Sequence, residues 1–259
     1  MLFRSLQLGP GDTVLDLGCG SGRTLVWNAD TGASLTGVDI SPFFSREALE
    51  RAELVLGDVR RLPIADAAFT KAWSLDVFEH VSLDALREVL GELHRVLAPG
   101  GVVFVYTHVR KNGPLGWAVR AVNRLAAWCE RAGLIDLGQE RLRKSDHVNP
   151  LTDHDHLHRV AAECGFSIER LTYYTPVIGA LTENVVARIV EHLMTRRVSR
   201  RVGDAAEATK EVRAAAKRRV RASGPTYVAL RLASAVMMLD VALFGRVKSG
   251  PFFALLRKN

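Results

Sequence analysis

The chain has 259 residues, 48% of them hydrophobic and 24% charged, so it is long enough to bury a sizeable core and too apolar for disorder throughout. Its cysteines are odd in number and far apart, which argues against a disulfide framework and favours a reducing compartment. The net charge of +7 is concentrated between Arg196 and Arg221, where ten basic residues are mixed with three acidic ones.

The first predicted strand, Thr13–Leu17, is apolar and rich in β-branched residues, and three glycines follow it at alternate positions, Gly18, Gly20 and Gly22. Glycines at such a place suit a tight turn and the close approach of a ligand, because they carry no Cβ. The spacing differs from the G-x-G-x-x-G of dinucleotide-binding proteins, which disfavours an NAD-linked oxidoreductase. The chain leads directly into this strand, so we expect no signal peptide and a cytoplasmic location.

The run Asp16-Leu17-Gly18-Cys19-Gly20-Ser21-Gly22 resembles the first motif of the class I S-adenosylmethionine (SAM) methyltransferases. The resemblance implies that Gly18, Cys19 and Gly20 hold the methionine part of SAM and that Asp16 lies near its amino group. It also implies a Rossmann-like, doubly wound α/β sheet of seven strands whose last strand is antiparallel. Helical insertions would follow strand five and separate strands six and seven.

The second predicted strand, Ser34–Ile40, carries Asp39 near its end. In a doubly wound sheet this carboxylate would lie at the carboxyl end of the strand, where it can accept hydrogen bonds from both hydroxyls of a ribose. The alternative is a helix N-cap, because Ser41-Pro42 follows and suits a helix start. Both interpretations stay open from the sequence.

The third predicted strand, Ala52–Leu56, is followed by Gly57, Asp58 and Val59. In a SAM site Asp58 would accept a hydrogen bond from the exocyclic amine of adenine, and Val59 and Ile40 would cover the two faces of the ring. The alternative is that Asp58 is a turn residue beside a glycine.

Residues 60–81 contain the fourth predicted strand, Phe69–Leu75, and resemble the Leu-Pro-x-x-Asp-x-x-Phe-Asp run of the same family. The chain departs from that run at Thr70, where the family usually has Asp. Ser74 lies at the carboxyl end of the strand, so we expect it to contact the cofactor.

The segment Asp76-Val77-Phe78-Glu79-His80 resembles a run of the ubiquinone-biosynthesis O-methyltransferases in which acidic residues and a histidine are associated with a divalent cation. Helical spacing would place Asp76, Glu79 and His80 on one face, as metal ligands or as a histidine base oriented by a glutamate. The alternative is a structural helix start. With His108 at the end of the fifth strand, Glu79 and His80 are the predicted catalytic residues, and the divalent cation stays open.

Changes in the spacing of apolar residues divide the rest of the chain into predicted helices and strands. Helix 83–97 and strand Val102–Tyr106 complete the part that matches the family well, and an extra amphipathic helix is predicted over 112–145. Helix 152–164, strand Phe166–Thr175 and a final strand at Gly250–Lys258 follow. The predicted divisions are a SAM-binding core over 1–111, a helical lid over 112–148, a core continuation over 149–175, a basic and apolar helical insertion over 176–249, and a last core strand over 250–259.

The composition of the predicted insertion over 176–249 indicates which partners to expect. Tyr227–Phe244 is apolar but short and interrupted by Arg231 and Asp240, which disfavours a transmembrane span. Together with the basic stretch, residues 196–244 suit a membrane surface, a lipid-like substrate, or simply helices with a solvated basic face. The basic stretch has no aromatic residues, which disfavours nucleic acid as a partner.

These observations predict a SAM-dependent methyltransferase with a small-molecule acceptor, acting as an O-methyltransferase on a lipophilic or phosphate-bearing substrate. The alternatives are an RNA methyltransferase that uses the basic stretch and an inert SAM-binding scaffold subunit. Against the first, the fourth strand ends in Ser74-Leu75-Asp76, without the Pro-Pro-aromatic run of amino-methylating enzymes.

Overall fold

A computed structural model describes residues 6–109, 113–114, 116–138, 141, 145–173, 178–186, 188, 189, 192, 235, 236, 238–248 and 251–259. The chain divides into two compact units. The sheet unit comprises Met1–Lys111, His147–Thr172 and Gly250–Asn259, and the helical unit comprises Asn112–Asp146 and Tyr173–Ser249.

The sheet has seven strands, β1 (Thr13–Leu17), β2 (Ser34–Asp39), β3 (Glu53–Leu56), β4 (Phe69–Leu75), β5 (Leu97–Thr107), β6 (Phe166–Tyr173) and β7 (Phe252–Lys258). Their spatial order is β3-β2-β1-β4-β5-β7-β6. The pairs that join β3, β2, β1, β4 and β5 are parallel, and β7 runs antiparallel to β5. The predicted doubly wound sheet with an antiparallel last strand is therefore confirmed.

Apolar side chains explain why these segments form a buried sheet. In β1, Val14, Leu15 and Leu17 are fully buried, as expected of a strand with helices on both faces. The described residues of the sheet unit form four α-helices. These are α1 (Arg23–Asn28), α2 (Arg46–Arg51), α3 (Leu83–Val96) and α5 (His154–Glu163), and α4 (Gly116–Arg131) belongs to the helical unit. In α3 the apolar residues recur at helical spacing and are all buried, namely Leu86, Val89, Leu90, Leu93 and Val96.

The parallel register brings the carboxyl ends of β1, β2, β4 and β5 to one edge of the sheet. Leu17 pairs with Ser74, and Leu75 pairs with Tyr106 on the next strand. The glycine loop, Asp39, the segment after β4 and the end of β5 therefore share this edge, where open α/β sheets bind their ligands.

The helical unit contains α4 (Gly116–Arg131) and the short helix α6 (Ile178–Leu181), which is followed by a wide turn at Thr182–Val186. The predicted helix over 112–145 is too long, because α4 ends at Arg131 and Gly133 adopts a φ of +69°. One face of α4 packs on residues that follow it, in a buried cluster of Val122, Ala126, Cys129, Ile135 and Val185.

Only part of the second predicted insertion is described. Residues 238–244 are helical, whereas the basic stretch 196–221 lies outside the described residues. In the described part of the chain, every helix is too short or too polar to cross a membrane.

Candidate cofactor site and active site

The three glycines after β1 have different surroundings. A Cβ on Gly18 would lie 2.4 Å from Val77, and one on Gly22 would lie 2.5 Å from Ala48, so close packing requires glycine at both positions. Gly20 also has a positive φ, of +53°, but a Cβ there would meet no atom within 4 Å. The backbone at Gly20 is therefore open to a ligand.

Asp39 links the glycine loop to the end of β2. One carboxylate oxygen accepts the amide of Gly20 and the other accepts the amide of Ser41, each at 2.8 Å. The alternative interpretation of Asp39 as a helix N-cap is wrong, because α2 starts at Arg46 and Ser45 caps it by accepting the amide of Ala48. Directly after Asp39, the side chain of Ile40 is 71% exposed.

Asp58 lies at the end of β3 and is engaged by Arg60. Its carboxylate accepts the amide of Arg60 at 2.9 Å and forms an ion pair with the guanidinium at 2.6 Å. The hydrogen bonds from Arg60 hold the pKa of Asp58 below its usual range. This is the geometry of the turn interpretation, and an adenine amine would share the carboxylate with Arg60. Val59 beside it is half-buried.

Three of the predicted cofactor residues have buried side chains. Asp16 is 2% exposed, accepts a hydrogen bond from the hydroxyl of Thr24, and has its pKa raised to about 6 by burial. Burial raises the pKa of the Cys19 thiol to about 12, so it stays neutral. Ser74 is 1% exposed. These three side chains are closed to solvent, whereas Gly20 and Ser21 of the loop are exposed.

The segment after β4 does not form the predicted helical face. Asp76 has a φ of +55°, in the left-handed region, and only Phe78–His80 forms a single 3-10 turn. The prediction that Asp76, Glu79 and His80 lie along one helix is therefore wrong. The 3-10 turn buries Glu79 and leaves His80 exposed, so the two side chains contact different neighbours.

Glu79 lies at the centre of the polar cluster. Its buried carboxylate accepts the hydroxyl of Thr107 at 2.9 Å, and its other oxygen lies 3.6 Å from Nε2 of His108. Burial raises the pKa of Glu79 to about 7, and the negative charge of Asp76 adds to the rise. The backbone carbonyl of Glu79 accepts the amides of Val148 and Asn149 at 2.8 and 2.9 Å. These two hydrogen bonds anchor the segment that carries His147.

Two overlapping groups of side chains have the composition of a metal site. Glu79, His80 and His147 form one group, and Asp76, Glu79 and His108 form the other, with the potential ligand atoms of each group within 4.8 Å of one another. The rings of His80 and His147 are 4.7 Å apart, edge to face. Sequence spacing does not identify His147 as a partner of His80, because a long insertion separates them.

A comparison with protein families agrees with this geometry. Residues 15–105 match the family described as "Methyltransferase domain". These residues form a class I SAM-dependent methyltransferase domain. The match includes the glycine loop, Asp39, Asp58 and the Asp76–His80 segment.

The methyltransferase domain also has named relatives. The chain is 33% identical over 120 residues to the sterol 4-C-methyltransferase strm-1 of Caenorhabditis elegans, covering 43% of this chain and 35% of that protein. It is 35% identical over 105 residues to the 2-methyl-6-phytyl-1,4-hydroquinone methyltransferase of Synechocystis, covering 38% and 32%. The chain thus spans about a third of the length of these two relatives.

A solved structure has a similar fold. The geranyl diphosphate C-methyltransferase of Streptomyces coelicolor superposes with a TM-score of 0.54 at 16% identity, covering 98% of this chain and 72% of that one.

The residues at this edge of the sheet fit SAM, the cofactor of the domain family. The open backbone at Gly20 allows the close approach of a ligand, and Ile40 offers an exposed apolar surface to an aromatic ring. Asp39 directly precedes Ile40 in the chain, and its carboxylate accepts the amide of Gly20. Thr24 donates its hydroxyl to Asp16, a contact that no residue spacing in the sequence indicates.

Proposed function

We propose that this chain transfers the methyl group of SAM to a small-molecule acceptor, by O-methylation of a lipophilic or phosphate-bearing substrate. The observation that carries the proposal is the common edge of β1, β4 and β5. The open backbone of Gly20 follows β1, and the Glu79–His108 pair lies after β4 and β5. A cofactor loop and a group able to accept a proton therefore lie on neighbouring parallel strands.

When bound, SAM supplies an electrophilic methyl group on a cationic sulfonium, which is a good leaving group. Gly18, Cys19 and Gly20 hold its methionine part through the backbone. Asp39 binds the ribose hydroxyls, and Ile40 contacts the adenine. Little activation of the methyl group is needed, so the remaining task of the protein is to position the acceptor and remove its proton.

His108 is our first choice for the catalytic base. Its side chain is 29% exposed and lies 3.6 Å from the buried carboxylate of Glu79. Nε2 of His108 faces Glu79, so in the proposed reaction the other ring nitrogen takes the proton of the acceptor hydroxyl, and Glu79 in its ionised form stabilises the resulting imidazolium. His80, whose side chain is exposed, is the second candidate.

A divalent cation is the alternative means of activating the acceptor. The group of Glu79, His80 and His147 offers one carboxylate and two imidazoles, a donor set that suits zinc or iron better than magnesium. The two routes differ in a measurable way, since chelation abolishes the second and spares the first.

The names of the relatives favour a lipophilic acceptor. The proteins from C. elegans and Synechocystis are named for a sterol and a phytyl-substituted hydroquinone, both apolar molecules with a hydroxyl group. The same names include methylation at carbon, so the acceptor atom requires the structure of the product.

The first test is calorimetric titration of the full chain with SAM and, separately, with NAD. We expect SAM to bind and NAD not to bind, and Asp39→Ala to weaken SAM binding at least about tenfold because a charged hydrogen-bond acceptor is lost. Asp30→Ala is the matched control, because Asp30 is exposed and forms only a surface ion pair with Arg51. Failure of SAM to bind would refute the proposal.

The second test is methyl transfer from labelled SAM to hydroxylated lipids, small phosphate-bearing alcohols and RNA, each with and without chelator. Transfer to a small molecule that survives chelation supports the His108 route. Transfer to RNA alone would favour the RNA methyltransferase, and SAM binding without any transfer would favour the scaffold subunit.

A further inference from the structure

Helix α4 exposes large aromatic side chains. One face of α4 is buried within the helical unit, whereas Trp117 is 64% exposed, Trp128 is 56% exposed and Leu125 is 42% exposed. At 3.6 residues per turn the two tryptophans lie only about 20° apart around the helix and about 16 Å apart along it. They form an apolar line on the outer face of α4, with Leu125 beside it.

A line of arginines runs next to the tryptophans. Arg120, Arg124 and Arg131 are all exposed, and their positions span about 40° on the side of the tryptophan line away from Leu125. The only carboxylate within α4 is Glu130, which is half-buried and ion-paired with Arg141. The outer face of α4 is therefore aromatic along one line, cationic along the next, and without exposed acidic residues.

An aromatic line beside a cationic line is better suited to the surface of a lipid bilayer than to contact with water alone. Tryptophan is favoured at the headgroup level of membranes, and arginines attract anionic lipids. A helix with an apolar line and a basic line lies in the plane of the interface. A second copy of the chain fits less well, because a symmetric pairing of this face would bring arginines towards arginines.

We propose that α4 binds the surface of an anionic membrane, with Trp117, Leu125 and Trp128 entering the headgroup region and the three arginines contacting lipid phosphates. The proposal does not depend on methyl transfer. It assigns membrane contact to a described helix, separately from the basic stretch 196–221.

The test is co-sedimentation of the full chain with vesicles of phosphatidylcholine alone or mixed with phosphatidylglycerol. We expect binding to the mixed vesicles only, weakened by added salt. Trp117→Ser/Trp128→Ser should lower the partition coefficient at least about tenfold through lost apolar contact. Changing Arg120, Arg124 and Arg131 together to Gln should lower it on the order of a hundredfold.

The matched control is Trp27→Ser in the sheet unit. Trp27 is 69% exposed and lies beside Arg23, so it resembles the α4 tryptophans in exposure and in having a basic neighbour. We expect this variant to bind vesicles as the unaltered chain does. All changed side chains are exposed, and thermal unfolding checks that each variant remains folded.

A second readout separates insertion of α4 from attraction of the basic stretch alone. Brominated lipids quench tryptophan fluorescence only at close range, so they should quench the Trp27→Ser variant and spare the Trp117→Ser/Trp128→Ser variant. Equal vesicle binding by these two variants would overturn the proposal. So would an oligomer, seen without lipid, that dissociates when the α4 tryptophans are replaced, because a second copy of the chain would then cover this face.

Discussion

Glu79 accepts a hydrogen bond from the hydroxyl of Thr107 at 2.9 Å, and both side chains are buried. Glu79 follows β4 and Thr107 ends β5, so this bond joins the carboxyl ends of two neighbouring strands. The bond holds the carboxylate in place without supplying a positive charge. Burial outweighs this bond, which by itself lowers the pKa, so Glu79 is protonated more readily in the folded chain than in water.

The first prediction concerns the pH dependence of stability. The pKa of Glu79 is raised from its usual 4.5 to about 7 in the folded chain. Protonation of Glu79 therefore stabilises the fold fully below pH 4.5, and this stabilisation is lost as the pH rises through about 7. Glu79→Gln keeps an uncharged side chain at every pH. We expect its free energy of unfolding, relative to the unaltered chain, to be higher at pH 8 than at pH 5 by up to ~3 kcal/mol.

Urea unfolding at the two pH values measures this difference. Glu50→Gln is the control, because Glu50 is an exposed member of a surface ion pair and should show little change. A Glu79→Gln effect that is the same at pH 5 and pH 8 would contradict the raised pKa.

The second prediction separates two glycines of the loop. Gly18→Ala forces a methyl group against Val77 at a φ of +76°, so we expect it to lower the free energy of unfolding by on the order of 2 kcal/mol. Gly20→Ala meets open space and should cost only about 1 kcal/mol for its left-handed backbone.

For SAM binding we expect the opposite order, with the larger effect from Gly20→Ala. Because the space beside Gly20 is where we place SAM, Gly20→Ala should weaken SAM binding at least about tenfold while the chain stays folded. Thermal unfolding and calorimetry on the same samples give both quantities. Unchanged SAM affinity in Gly20→Ala would mean that the cofactor does not approach the loop at this position.

The sheet and its ligand-binding edge could be predicted from sequence because their signals are local. An apolar strand followed by closely spaced glycines, and Asp39 at the end of the next strand, are each determined by neighbours in the chain. The pairing of β7 between β5 and β6 also follows once the family is identified.

The chemistry of the cluster could not be predicted in the same way. The spacing of Asp76, Glu79 and His80 suggests a helix, but the left-handed backbone at Asp76 overrides it. His147 lies beside His80 because the amides of the next two residues donate to the carbonyl of Glu79. These hydrogen bonds join distant parts of the chain. Local spacing carries no information about such a contact.

The third prediction distinguishes the two histidines as bases. If His108 removes the proton, His108→Asn should lower kcat by about 10²–10⁴-fold with little change in SAM affinity. His80→Asn should then leave kcat within about tenfold of the unaltered chain. Steady-state kinetics with an acceptor from the screen measures both. The reverse order of effects would assign the base to His80, and loss of activity on chelation would favour the cation route.

The fourth prediction concerns Asp240, which interrupts an apolar segment of the sequence. Its side chain is fully buried in the helical unit, where one carboxylate oxygen accepts the amides of Ile178 and Gly179 at 3.1 Å each, at the start of α6. Asp240→Ala leaves both buried amides without this acceptor, so we expect the free energy of unfolding to fall by about 2–3 kcal/mol. Asp240→Asn keeps a carbonyl oxygen for both amides and should cost much less. Thermal unfolding of the two variants compares them directly, and equal losses would show that the charge of Asp240, rather than its hydrogen bonds, stabilises the start of α6.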